Sequence, residues 1–132
     1  RADHLYLTGY TGYPTFSTRH DNRIRKTAVY AVPHQPWSYH EDPVVLVKKL
    51  KAEGKKIIAL EQTKQSIPYY KATYKLPLVL IVGHEREGVR PELLDLADTI
   101  IDIPILGSGN SHNVAVATGI VVYHMLSILA LA

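Results

Sequence analysis

Two polar turns bearing glycine hold most of the residues in this chain that could do chemistry. The first, Gly83-His84-Glu85-Arg86-Glu87-Gly88-Val89, follows the apolar run Leu78-Val79-Leu80-Ile81-Val82. The second, Gly107-Ser108-Gly109-Asn110-Ser111-His112-Asn113, follows Thr99 to Leu106 and leads at once into another apolar segment. Glycine lets main chain approach a ligand closely, so these turns offer backbone donors and acceptors with few titratable groups. Glu85 sits just past a buried strand and beside a glycine, where open α/β sheets hold their ligands. Its alternative role is to pair with Arg86 or Arg90. Ser111 or Asn113 can cap the helix that follows, satisfying free amides for about 1 kcal/mol. Several chemistries are excluded. The glycines lack the lysine and spacing of a phosphate-binding P-loop. There is no G-x-G-x-x-G after the first strand and no G-x-S-x-G elbow. The seven histidines are scattered without metal-ligand spacing, so no metal is expected.

These turns need elements to hold them. Leu78–Val82 and Thr99–Leu106 read as buried strands, and the stretch from Val114 onward reads as a long helix. Pro91 and Glu92 open a helix carrying Leu93, Leu94, Leu96 and Ala97. Upstream, His4-Leu5-Tyr6-Leu7-Thr8 alternates as a strand does. Asp42 and Pro43 start a helix that ends at Gly54, and Ile57-Ile58-Ala59-Leu60 is the next buried strand. Ser66 to Tyr70 is expected to form a short helical turn. Trp37, between Pro36 and Tyr39, is expected to anchor packing. Alternating helices with near-continuous apolar strands predict an α/β fold: a parallel sheet with helices on both faces. Two glycine turns at the carboxyl ends of its strands then make a ligand site.

At 132 residues the chain is expected to be one domain with a real core. It is 46% hydrophobic and 20% charged, an ordinary globular balance. The net charge of +3 permits a polyanionic partner without requiring one. Arg19, Arg23, Arg25 and Lys26 crowd one polar stretch. It is either a solvated loop or a phosphate-contacting loop whose guanidinium groups pair with phosphate oxygens. With no cysteine, disulfides and thiolate metal sites are unavailable. No signal peptide is visible at the start, and a cytoplasmic location is expected. Val114 to Ala132 is long enough to be taken for a membrane span, but Thr118, Gly119, Tyr123, His124 and Ser127 interrupt it. A helix buried in the core and against a partner subunit explains it better.

From Leu78 to Leu126 the chain resembles the second and third motifs of the SPOUT superfamily of methyltransferases, in its TrmH/SpoU branch. The second motif is an apolar strand, then glycine, glutamate two residues later, and a further glycine followed by an aliphatic residue. Here it reads Gly83-His84-Glu85-Arg86-Glu87-Gly88-Val89. The third reads Ile103-Pro104-Ile105-Leu106-Gly107, then Ser111-His112-Asn113-Val114-Ala115-Val116-Ala117-Thr118-Gly119-Ile120. The resemblance implies a Rossmann-like domain, a SPOUT fold whose carboxyl end forms a deep trefoil knot. It also implies bound S-adenosylmethionine and a homodimer whose partner helps complete the site. The implied reaction is methyl transfer to a ribose 2′-hydroxyl in tRNA or rRNA. By position it assigns cofactor contacts to Leu60, Gly83, Ile103, Leu106, His112 and Asn113, mostly through backbone. Ser111 and Asn113 would order the loop and the substrate side, and Glu85 would orient an arginine. The chain departs from the pattern at His84, commonly Asn, and at His112, commonly Leu. The family's first motif, with an Asn and a catalytic Arg, precedes the first strand seen here, so residues upstream of Arg1 are expected to carry it. Arg1-Ala2-Asp3 matches that motif only at its end, which makes Arg1 the candidate within this chain.

Two further readings differ in class. One is a non-catalytic RNA- or S-adenosylmethionine-binding paralogue that lacks the first motif. The other is a generic nucleotide-binding α/β domain.

Overall fold

A computed structural model describes residues 2–9, 35–84, 87–105 and 113–129. The chain divides into two compact units, Arg1–Leu46 and Val47–Ala132.

In the first unit, β1 (Leu5–Thr8) and β2 (Trp37–His40) pair in parallel, with Leu5 opposite Trp37 and Thr8 opposite His40. The strand at 37–40 was not expected: Trp37 is part of a ladder as well as an aromatic anchor. On one face Ser38 Oγ lies 2.8 Å from the Nε2 atoms of both His4 and His40. The Tyr6 ring sits between those imidazoles, 4.5 and 5.6 Å away. On the other face the Tyr39 hydroxyl donates to the Gly9 carbonyl at 2.8 Å. Asp42 caps α1 (Pro43–Ala52), its Oδ1 accepting the amides of Val44 at 2.9 Å and Val45 at 3.3 Å. Proline at the first helical position has no amide to leave unsatisfied. Gly54, at φ +91°, ends the turn after the helix.

The second unit is a four-stranded parallel sheet in the order β4-β6-β3-β5, built from β3 (Lys56–Leu60), β4 (Ile67–Pro68), β5 (Leu78–Val82) and β6 (Thr99–Asp102). Residues 66–70 do not form the expected helical turn. Ile67 is drawn into the sheet opposite Ile101, and a 3-10 turn follows only at Tyr69–Lys71. Pro68 lacks an amide and is tolerated because β4 is the edge strand. Likewise β6 ends at Asp102 and not at Leu106, since Pro104 cannot donate to a ladder.

β3 is the centre of the sheet: Ile57, Ile58 and Ala59 are all buried. Successive side chains on a strand point to opposite faces, so β3 is covered on both. One cover is α3 (Val114–Leu129), which buries Ala117, Val121 and Met125, each one turn from the next. Val121 and Met125 pack with Ile58, Ile101 and Tyr74, and Leu60, Leu78 and Leu80 close around them. The Tyr74 hydroxyl donates to the Tyr69 carbonyl. Burial, then the neighbouring Tyr69, pushes the Tyr74 phenol up to about 12. The short helix α2 (Pro91–Leu96) buries Leu93 and contacts β3. After it, Asp98 ties β6 to β3 twice. Its amide donates to the Ile57 carbonyl, and its Oδ2 accepts the Ile57 amide, both at 2.8 Å. No described helix is long and apolar enough to cross a membrane.

Candidate functional site

The register of the sheet sets up a site before any side chain is considered. Leu60 stands opposite both Val82 and Ile101. The residues that follow on the three strands, Glu61, Gly83 and Asp102, therefore emerge side by side at the carboxyl edge. They border a pocket of about 310 Å³, a size suited to a small ligand. The walls come from the ends of β3, β5 and β6 and from the first turn of α3, where Val114 and Ala117 close one side.

Glycine shapes the β5 wall. Gly88 has φ +69°, in the left-handed region that side chains disfavour. A Cβ at Gly83 would overlap the Gly88 carbonyl and the Val89 amide. His84 and Gly88 exchange both backbone hydrogen bonds, at 3.3 and 2.8 Å, which closes the turn tightly. Glu61 braces it from β3, its Oε2 accepting the Val89 amide at 2.7 Å. On the β6 side, the one hydroxyl proton of Ser66 is shared between Asp102 Oδ2 at 2.6 Å and the Thr63 carbonyl at 2.7 Å. The segment after β3 is thus tied to both neighbouring strand ends. At the start of α3, Asn113 Oδ1 accepts the Ala115 amide at 2.8 Å, so Asn113 is the cap.

Of the residues singled out in sequence, Leu60, Gly83 and Ile103 line this one pocket. Asn113 lies one residue before its α3 wall. Arg1, Arg19, Arg23, Arg25, Lys26, Glu85, Leu106, Ser111 and His112 fall outside the described residues. Arg90, a candidate partner for Glu85, pairs with Glu92 at 3.3 Å. Sequence reasoning missed Glu61 and Asp102. Glu61 leaves a buried strand just as Glu85 does, and the same positional rule could have marked it. Asp102 is the lone charge within the apolar run from Ile100 to Leu106. With Glu87 they give the pocket three carboxylates, and no lysine or arginine is among the described residues that line it. No group of three or more His, Asp or Glu side chains positioned to hold a metal occurs among the described residues.

The model of the SpoU rRNA Methylase family matches residues 3–123. The chain is 41% identical over 83 residues to a tRNA (guanosine(18)-2′-O)-methyltransferase of Aquifex aeolicus, covering 63% of this chain and 39% of that protein. It is 30% identical over 105 residues to the enzyme of the same name from Escherichia coli K12, covering 77% and 46%. It therefore spans less than half the length of these relatives. Among solved structures, an AdoMet-bound rRNA methyltransferase from Sinorhizobium meliloti superposes with a TM-score of 0.83 at 28% identity, over 97% of this chain and 47% of that one. The α/β architecture with parallel sheets is shared with these proteins. The family match takes in both glycine turns and the three strands that frame the pocket, and the chain belongs to the SpoU rRNA methylase family.

Proposed function

We propose that this chain is the S-adenosylmethionine-binding and methyl-transferring part of an RNA 2′-O-ribose methyltransferase acting on tRNA or rRNA. One observation carries the reading: the glycine turn at 83–88 and the start of α3 form walls of one pocket at the carboxyl ends of three parallel strands. Its chemistry fits the cofactor. The carboxylates of Glu87 and Asp102 on its lining complement a sulfonium and an ammonium group. When bound, the cofactor supplies an activated methyl group on sulfur. The chain's own task is then placement, because in-line geometry dominates such a transfer. The activities of its relatives, 2′-O-methyltransferases of tRNA and of 23S rRNA, support the substrate class.

Under this reading Leu60, Gly83, Ile103, Leu106, His112 and Asn113 hold the cofactor. Glu85, Ser111 and Asn113 order the substrate side, with Arg1 or an arginine upstream of it completing the reaction. Arg19, Arg23, Arg25 and Lys26 contact RNA phosphates. The segment from Ile103 into α3 is the part we assign to the trefoil knot, and the whole chain is one SPOUT domain working in the cytoplasm. A second copy is the partner. α3 leaves Val116, Ile120 and Tyr123 exposed along one stripe, Tyr123 at 76%, an apolar face suited to a symmetric interface.

The test is direct. Isothermal titration should show micromolar-scale binding of S-adenosylmethionine, and the full-length protein should place its tritiated methyl on ribose 2′-oxygens of bulk RNA. No binding of the cofactor or of its demethylated product sinks the proposal. Binding without methylation marks a non-catalytic paralogue. Photo-crosslinking to ATP in place of S-adenosylmethionine would favour a generic nucleotide-binding domain.

A further inference from the structure

Glu61 occupies an unusual place for a carboxylate. Its amide donates to the Ile101 carbonyl at 3.0 Å, which fixes its backbone to the central strands. From that base its side chain crosses to another loop. Oε2 accepts the Val89 amide at 2.7 Å, a part-buried bond, and Oε1 accepts the Gln62 amide at 3.1 Å. An ionised carboxylate only accepts, and such charge-assisted bonds are stronger than neutral ones. The loop is fitted to it. Gly88 has no side chain where one would overlap Glu61 Oε2, and its φ of +69° turns the Val89 amide inward. Gly83 in turn has no side chain where one would strike Gly88 and Val89. The loop is thus closed at its base by the His84–Gly88 bridge and held at that same end, through the Val89 amide, by Glu61.

We infer that Glu61 is a positioning residue for cofactor binding: its carboxylate holds Gly88 and Val89 where they form one wall of the pocket. The inference rests on the cofactor reading above and adds to it a residue outside both glycine turns. Glu61 acts through the loop backbone. Three substitutions separate acceptor, reach and charge. Glu61→Gln keeps an oxygen for Val89 but sets an NH2 group against the Gln62 amide. Glu61→Asp keeps the charge but is one methylene too short to reach Val89. Glu61→Ala removes the acceptor.

Titration calorimetry with S-adenosylmethionine, together with hydrogen exchange of the Val89 amide by NMR, tests this on the full-length protein. Glu61→Ala is expected to weaken binding about tenfold or more, the size set by losing one charge-assisted bond. Glu61→Asp should fall close to Glu61→Ala, and Glu61→Gln between them and the wild type. Val89 exchange should accelerate in the same order. Binding by Glu61→Ala within about twofold of wild type would overturn the inference, being less than one such bond. So would Glu61→Asp binding better than Glu61→Gln, since charge and not reach would then be what matters. If Glu61→Ala does not fold, the Asp and Gln variants decide the question alone. A wild type that fails to bind the cofactor removes the proposed function, and Val89 exchange then decides whether the Glu61 brace exists.

Discussion

Asp98 shows how one side chain holds a sheet together and how that hold depends on pH. Its carboxylate accepts the Ile57 amide, and this bond, with help from the Lys51 ammonium at 3.5 Å and against the opposing effect of burial, holds it below its ordinary value of 3.8. A carboxylate depressed by folding stabilises the fold fully above its unfolded pKa. The contribution is lost as pH falls through the folded value. Asp98→Ala should therefore lower stability by about 1 kcal/mol near neutrality, the usual net worth of such a bond. The gap between wild type and variant in urea denaturation should close as pH drops below 3.8. A gap that stayed constant down to low pH would show that the carboxylate's charge is irrelevant to the β3–β6 join.

At the scale of elements, α3 ties the pocket to the core. One stripe, Ala117, Val121 and Met125, is buried, and its first turn lines the site. Its start depends on Asn113, whose side chain caps the Ala115 amide. Asn113→Ala is expected to lower stability by about 1 kcal/mol and to raise amide exchange in the first turn of α3 while leaving its second half protected. Uniform exchange along the helix would contradict that. The cap was legible in sequence, as were α1 with its Asp42 and the strands at β3 and β5, because local propensity and tertiary packing agree there. β2 was not. Residues 37–40 become a strand through pairing with residues 5–8, more than thirty positions away in the chain, which no local pattern encodes. The Ile67–Pro68 strand was missed for the same reason. Glu61 could have been marked by its place at a strand end, but its contact with Val89, 28 positions away, is not written in any local pattern.

For the molecule as a whole, Tyr123 and Val116 make a prediction that the described chain alone cannot satisfy. Both stand exposed on an apolar stripe, at 76% and 56%. Size-exclusion chromatography with light scattering should report twice the chain mass for the protein, and Tyr123→Glu or Val116→Glu should shift it to the monomer. A wild-type monomer at micromolar concentration rules out the second copy. The strand order of the second unit has one more consequence, in time and not in space. Both neighbours of the central strand β3 lie later in the chain than β3 itself. Parallel partners join only through long crossovers, which makes such pairing slow. As the chain leaves the ribosome, β3 must wait with both its edges open until residues 78–82 and 99–102 have emerged. The pocket waits longer, because its last wall belongs to α3. The binding site is therefore among the last things this sequence builds, and any stall before residue 114 leaves a sticky apolar strand without the helix that covers it.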